Sequence, residues 1–206
     1  MLPDRPGGVG TFPPDARAGQ HGGVPAVPPL PTEDHVGPDC GVHFATLPIT
    51  DAAAIVAAVP GGARAAVAGM ADPALRRRPA PDTWSAAEYL CHLRDVYVTG
   101  TIRLHRARTE DVPVVEPMLN DLRARRFRYV DCDVGAVLGE LAAAVAGLAD
   151  ELRRVEPDGW DRTVARLPGE VRTVRWLLRN AAHEGRHHLA DIDAALRAER
   201  PPAARG

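Results

Sequence analysis

The spacing of apolar and polar residues divides this chain into four helical runs separated by segments of different character. From Thr50, Ala, Val and Ile recur at helical spacing until Pro60 and two glycines interrupt them, which predicts one kinked helix or two short ones before Ala71. The second run is clearer. Ser85 and Glu88 form an S-x-x-E capping box, and periodic apolar residues follow to about Ala107, so a helix begins at Ser85. Asp133 can cap a third helix running to about Val155, its stripe made by Val134, Val137, Leu138, Leu141, Val145, Leu148 and Leu152. Thr173 can cap the last, which reaches about Arg197 before Pro201 and Pro202. The stretch from Arg108 to Asp133 holds Pro113, Pro117 and many arginines; it is long for a bundle connection and has room for a short helix near Leu119 to Arg128. EPDGWDRTVARLPGEVR reads as a turn-rich break. The pattern as a whole predicts an all-α protein, a four-helix bundle with a long connection between helices two and three.

Ahead of these runs, Met1 to about Leu47 is dominated by glycine and proline, a composition that buries too little surface to offset chain entropy. The expected organisation is a disordered leader over 1–47, the bundle over 48–200 and a disordered tail over 201–206. A translation start set too far upstream would leave the same signature in the leader. His21, His35 and His43 fall in it without metal-ligand spacing and read as solvated tail histidines.

Composition agrees with the helical pattern. Aromatics are 4% against 45% hydrophobic residues, which suits closely packed helices better than a β-sandwich. The formal charge of -2 and the lack of long like-charge runs give no footprint for nucleic acid. All 25 basic residues are arginine, which with the Ala, Gly, Pro and Val bias reads as GC-rich coding; the arginines from Arg123 to Arg128 could meet an acidic cofactor or simply face solvent. Cys40, Cys91 and Cys132 are odd in number and have no pairable spacing, as expected in a reducing compartment. With no signal-peptide pattern and no run of about 18 apolar residues, the expected location is cytoplasmic, away from membranes.

The last helix carries the candidate chemistry. In VRWLLRNAAHEGRHHLADIDAAL, His183 and His187 lie about 40° apart on one helical face, one turn from each other, where two imidazoles can grip one ion. His92, two turns into the second helix amid Leu90, Leu93 and Val96, is a candidate third ligand, or a core histidine with a hydrogen-bond partner. His188, about 140° from His183, and His105, near a helix end, fit less well. HEGRH also matches the H-E-x-x-H of zinc proteases. Against that reading, Gly185 weakens the helix, no strand-rich sheet precedes it, and only 19 residues follow His187.

The run TWSAAEYLCHLRDV, with a histidine seven residues after the capping serine, and the terminal H-x-x-x-H-H resemble the DinB-like superfamily, which includes YfiT-type metal-dependent hydrolases. The resemblance covers roughly Ile49 to Leu196. It implies an up-down-down-up four-helix bundle with a three-histidine metal centre, His92 supplying the ligand of helix two and His183 and His187 those of the last helix. Where many relatives read HHxxHI or HHxGQ, this chain has HHLADI; Asp191 could orient His187, accept a substrate proton or face solvent. Glu88 and Asp95 are similar supporting carboxylates near His92, Glu88 being also engaged as a cap.

Three neutral imidazoles leave a divalent ion its full charge and an open position, suited to activating water or a thiol. Zinc, nickel and iron all accept such ligands. The superfamily includes thiol-dependent transferases and isomerases that use mycothiol or bacillithiol. The resemblance therefore implies a metal-dependent enzyme that activates a mycothiol-type thiol for S-transfer or isomerisation of a small-molecule substrate. Hydrolysis by metal-activated water, or a non-catalytic metal- or partner-binding bundle, are the alternatives, and a homodimer is a possible assembly.

Overall fold

The computed structural model describes residues 27–197. The expected tail over 201–206 and the first 26 residues of the expected leader lie outside that range. Among the described residues six α-helices are formed: α1 (Ile49–Val67), α2 (Asp72–Arg76), α3 (Ala86–Thr109), α4 (Asn120–Arg126), α5 (Val134–Leu152) and α6 (Val174–Leu196). The four long ones, α1, α3, α5 and α6, make the bundle. Around it, α1 packs on α5 and α6, and α3 packs on the same two, so the helix of His92 lies directly against the last helix. Among the described residues, no helix is long and apolar enough to cross a membrane.

Local chemistry accounts for the helix boundaries. The Ser85 hydroxyl accepts from the Glu88 N–H while the Glu88 carboxylate accepts from the Ser85 N–H, satisfying two groups that would otherwise be orphaned at the start of α3. Asp133 and Thr173 cap α5 and α6 through Ala136 N–H and Trp176 N–H. Pro60 does not divide α1, which is one helix: its buried positions Ala52, Val56, Val59, Ala63 and Val67 run on both sides of the proline and hold the two halves in one packed face.

Two segments depart from the sequence expectations. The turn-rich break before α6 contains a short antiparallel hairpin, β1 (Thr163–Ala165) and β2 (Val171–Thr173), with Thr163 opposite Thr173 and Gly169 in the turn at φ 80°. Three-residue strands give too short an alternation to be recognised in sequence. The second departure lies in residues 27–47, which fall in the expected disordered leader but are packed here as a strap along α6. Val42 and Phe44 are buried with Trp176 in a small separate core. Leu30 N–H donates to Glu170, Thr173 N–H donates to Glu33, and Arg172 donates to the Pro31 carbonyl. The glycine and proline content over 1–47 hid this small apolar set, whose partner is about 130 residues away in sequence.

Candidate metal centre

The face that α6 turns inward decides which of its histidines meet α3. Val174, Leu178, Ala181, Gly185, Ile192 and Leu196 are buried along it. At 100° per residue His188 falls within about 20° of Ala181 on this stripe, Glu184 about 60° to one side, and His183 about 160° away. Gly185 lets the helices close: a Cβ there would lie 2.6 Å from Val59 Cγ2 and collide with the Tyr97 hydroxyl. The glycine that weakens the helix in isolation is what this seam requires.

His92, 1% exposed, is thereby brought to Glu184 and His188. Its Nε2 is 3.3 Å from Glu184 Oε2, and His188 Nε2 is 3.1 Å from the same oxygen. The two imidazoles stand edge to face with centroids 4.7 Å apart. His188 Nδ1 is 2.8 Å from Asp191 Oδ2, so both of its ring nitrogens meet carboxylates. Despite burial, the hydrogen bonds and charges of His188 and His92 hold the Glu184 carboxyl well below its usual range. Burial opposes protonation of His188, but its bonds to Asp191 and Glu184 prevail and raise its pKa to about 9. Trp84 packs against His92, and Tyr89 against His188.

The expected partners of His92 are placed elsewhere. His183 Nδ1 is 3.0 Å from Cys40 Sγ, and its ring contacts His35 and Phe44 of the strap. Gly37 makes that approach possible, since a Cβ there would lie 2.7 Å from His183 Nδ1. His183 and His187 stack at 5.5 Å with ring planes 20° apart. Asp191 lies 3.6 Å from His187 Nε2 and thus favours His188. Of the other expected carboxylates, Glu88 pairs with Arg78 and Ser85, and Asp95 with Arg94, Arg123 and Tyr129. These ties anchor α3 to the segments around it. Glu184 is absent from the ligand set that the resemblance implies, and its signal in the sequence is its place beside the apolar stripe of α6.

His92 and Glu184 form part of the wall of a cavity of about 550 Å³ between α3, α6, the strap and the connection around α4. A second set of possible donors, His187, His188 and Asp191, shares His188 and Asp191 with the first but lies away from this wall. The buried set is therefore the one that a small molecule in the cavity can reach.

Residues 56–192 match the family model described as the DinB superfamily. The fold is similar to that of YfiT from Bacillus subtilis, described as a "probable metal-dependent hydrolase with an unusual four-helix bundle topology", at TM-score 0.69 and 20% identity over 73% of this chain and 87% of that one. It is also similar to mycothiol-dependent maleylpyruvate isomerase, at TM-score 0.60 and 16% identity over 72% of this chain and 62% of that one. At these identities the likeness is one of fold. No curated protein matches the sequence significantly.

Proposed function

The chain belongs to the DinB superfamily, and on that premise we propose that it is a metal-dependent enzyme whose divalent ion is held by His92, Glu184 and His188. One observation carries the proposal: two imidazole nitrogens and a carboxylate oxygen, drawn from two helices, lie within 4.8 Å of one another, and two of the three residues, His92 and Glu184, line a cavity. Two histidines and one carboxylate are an established ligand set for zinc and for iron, and nickel also accepts imidazole. The bond from His188 Nδ1 to Asp191 supports the fit, because ligating histidines commonly engage a carboxylate through the other ring nitrogen.

An ion bound there supplies Lewis acidity toward water or a thiol. The chain's own residues prepare the place for it. Glu184 brings one negative charge, Asp191 fixes the orientation of His188, and the rings of Trp84 and Tyr89 cover the two imidazoles. The co-substrate we propose is a low-molecular-weight thiol of the mycothiol type, used for S-transfer or isomerisation. The fold likeness to the mycothiol-dependent isomerase and the size of the cavity support it. The likeness to YfiT supports hydrolysis as the competing outcome.

Metal analysis of the full chain tests the ligand set. His92→Ala, Glu184→Ala and His188→Ala are expected to lose stoichiometric metal, while His183→Ala and His187→Ala keep it. The opposite pattern would restore the three-histidine set. Incubating the metal-loaded protein with an electrophile, with and without mycothiol, tests the chemistry. Turnover only with thiol supports transfer, turnover without it supports hydrolysis, and no turnover across a broad panel supports a binding role.

A further inference from the structure

The cavity beside His92 and Glu184 is lined by an arginine, Arg103, that forms no direct ion pair among the described residues. His92, Val96, Gly100 and Arg103 follow one another along the face of α3 that lines it. The Arg103 guanidinium donates to the Glu116 carbonyl, and among the described residues no carboxylate forms a direct ion pair with it. Elsewhere the chain pairs arginines with carboxylates even at its surface, as in Arg76–Asp72, Arg106–Glu110 and Arg175–Asp161. Arg162, Arg172 and Arg179 also bond to carbonyls alone, but they tie segments together and none lines the cavity.

Burial and the charge of Arg166 push the Arg103 pKa below its ordinary value, and the opposite charge of Glu184 offsets them only in part. Arg166 lines the same cavity, already paired with Glu170, and Arg125 lies exposed at its edge. Two carboxylates share the wall. Glu184 is engaged by two imidazoles, and Asp121 is exposed. The other polar groups of the wall include the guanidinium of Arg103 and the neutral amides of Asn120 and Asn180, and much of the rest is apolar, with Val96, Met118 and Leu177. An unpaired guanidinium in such a setting is satisfied by an anion that enters with the ligand.

We propose that the cavity takes an organic acid, its carboxylate on Arg103 and its apolar body against Val96, Met118 and Leu177, with the far end toward His92 and Glu184. This rests on the proposed function only for where the far end reacts; the recognition of the carboxylate stands on Arg103 and the cavity alone.

The test is calorimetric titration of the full chain, zinc-loaded and zinc-free, with hexanoate, benzoate and glutarate and with their uncharged amides. At least one acid is expected to bind saturably, and about tenfold or more tightly than its amide. Arg103→Gln should erase that preference and Arg103→Lys retain part of it. Leu177→Trp, which fills the cavity and keeps Arg103, should abolish binding; it serves as the independent variant if Arg103→Gln does not fold. Equal binding of acids and amides, an acid preference that survives Arg103→Gln, or no binding by any acid would each overturn the proposal. Because the zinc-free protein is titrated too, loss of the metal centre and loss of acid recognition are read separately.

Discussion

Two neighbouring faces of α6 each carry a polar pair four residues apart, and the pairs meet different surroundings. On one, Glu184 and His188 face His92, the cavity and the closely packed seam at Gly185. On the other, His183 and His187 stack on each other, and His183 meets Cys40 and the rings of the strap. A separation of four residues places two side chains on one face but does not say which neighbour that face will have. Packing settles it. The seam face gathers donors around one point, whereas the strap face spreads its rings in aromatic contacts.

The contrast can be broken most forcefully at His188. His188→Ala is expected to abolish stoichiometric metal uptake, with His187→Ala, one residue away, keeping it; elemental analysis of the two proteins decides. Next in size is the anchor on the α3 side of the seam. Asp95→Ala leaves Arg123 and Tyr129 without their shared acceptor and should cost about 3 kcal/mol in denaturant unfolding. The bonds from Tyr129 and Arg123 outweigh burial and hold the Asp95 carboxyl below its ordinary value. Its stabilisation is thus present above the unfolded-state pKa of about 4 and is lost as pH falls through the lower folded value. Asp95→Asn should correspondingly flatten the acid side of the stability profile.

A smaller effect is expected from Gly185→Ala, which forces a methyl group onto Tyr97 and Val59; a loss of about 2 kcal/mol by chemical denaturation would fit such overpacking. No loss would show that the seam is looser than the geometry described. Asp191→Asn should weaken metal affinity by about tenfold through its effect on His188. Competition with a chelator measures it, and an unchanged constant would remove Asp191 from the centre. The least effect belongs to the strap face: His183→Gln should change global stability by less than about 1 kcal/mol while making residues 27–47 easier to cleave in limited proteolysis.

The architecture was largely legible in the sequence, because the capping box at Ser85, the Asp133 and Thr173 caps and the α5 stripe are local signals that the bundle reinforces. The centre was legible only in part. His92 stands out as a polar ring among apolar neighbours, whereas the H-x-x-x-H of His183 and His187 lies on a phase of α6 that the structure does not bring to His92. The stripe from Val174 through Ala181 and Gly185 to Ile192 passes through His188, which is why that ring, and not His183, meets α3. The strap left no comparable trace, since Phe44 and Val42 gain their meaning from Trp176, far along the chain.

That long separation has a consequence for assembly on the ribosome. The strap is made early, yet its partners Glu170, Thr173 and Trp176 belong to the hairpin and to the start of the final helix. Glu184 and His188 follow later still. Vectorial synthesis therefore leaves the cavity without part of its wall, and His92 without its two neighbours from α6, until that helix has emerged.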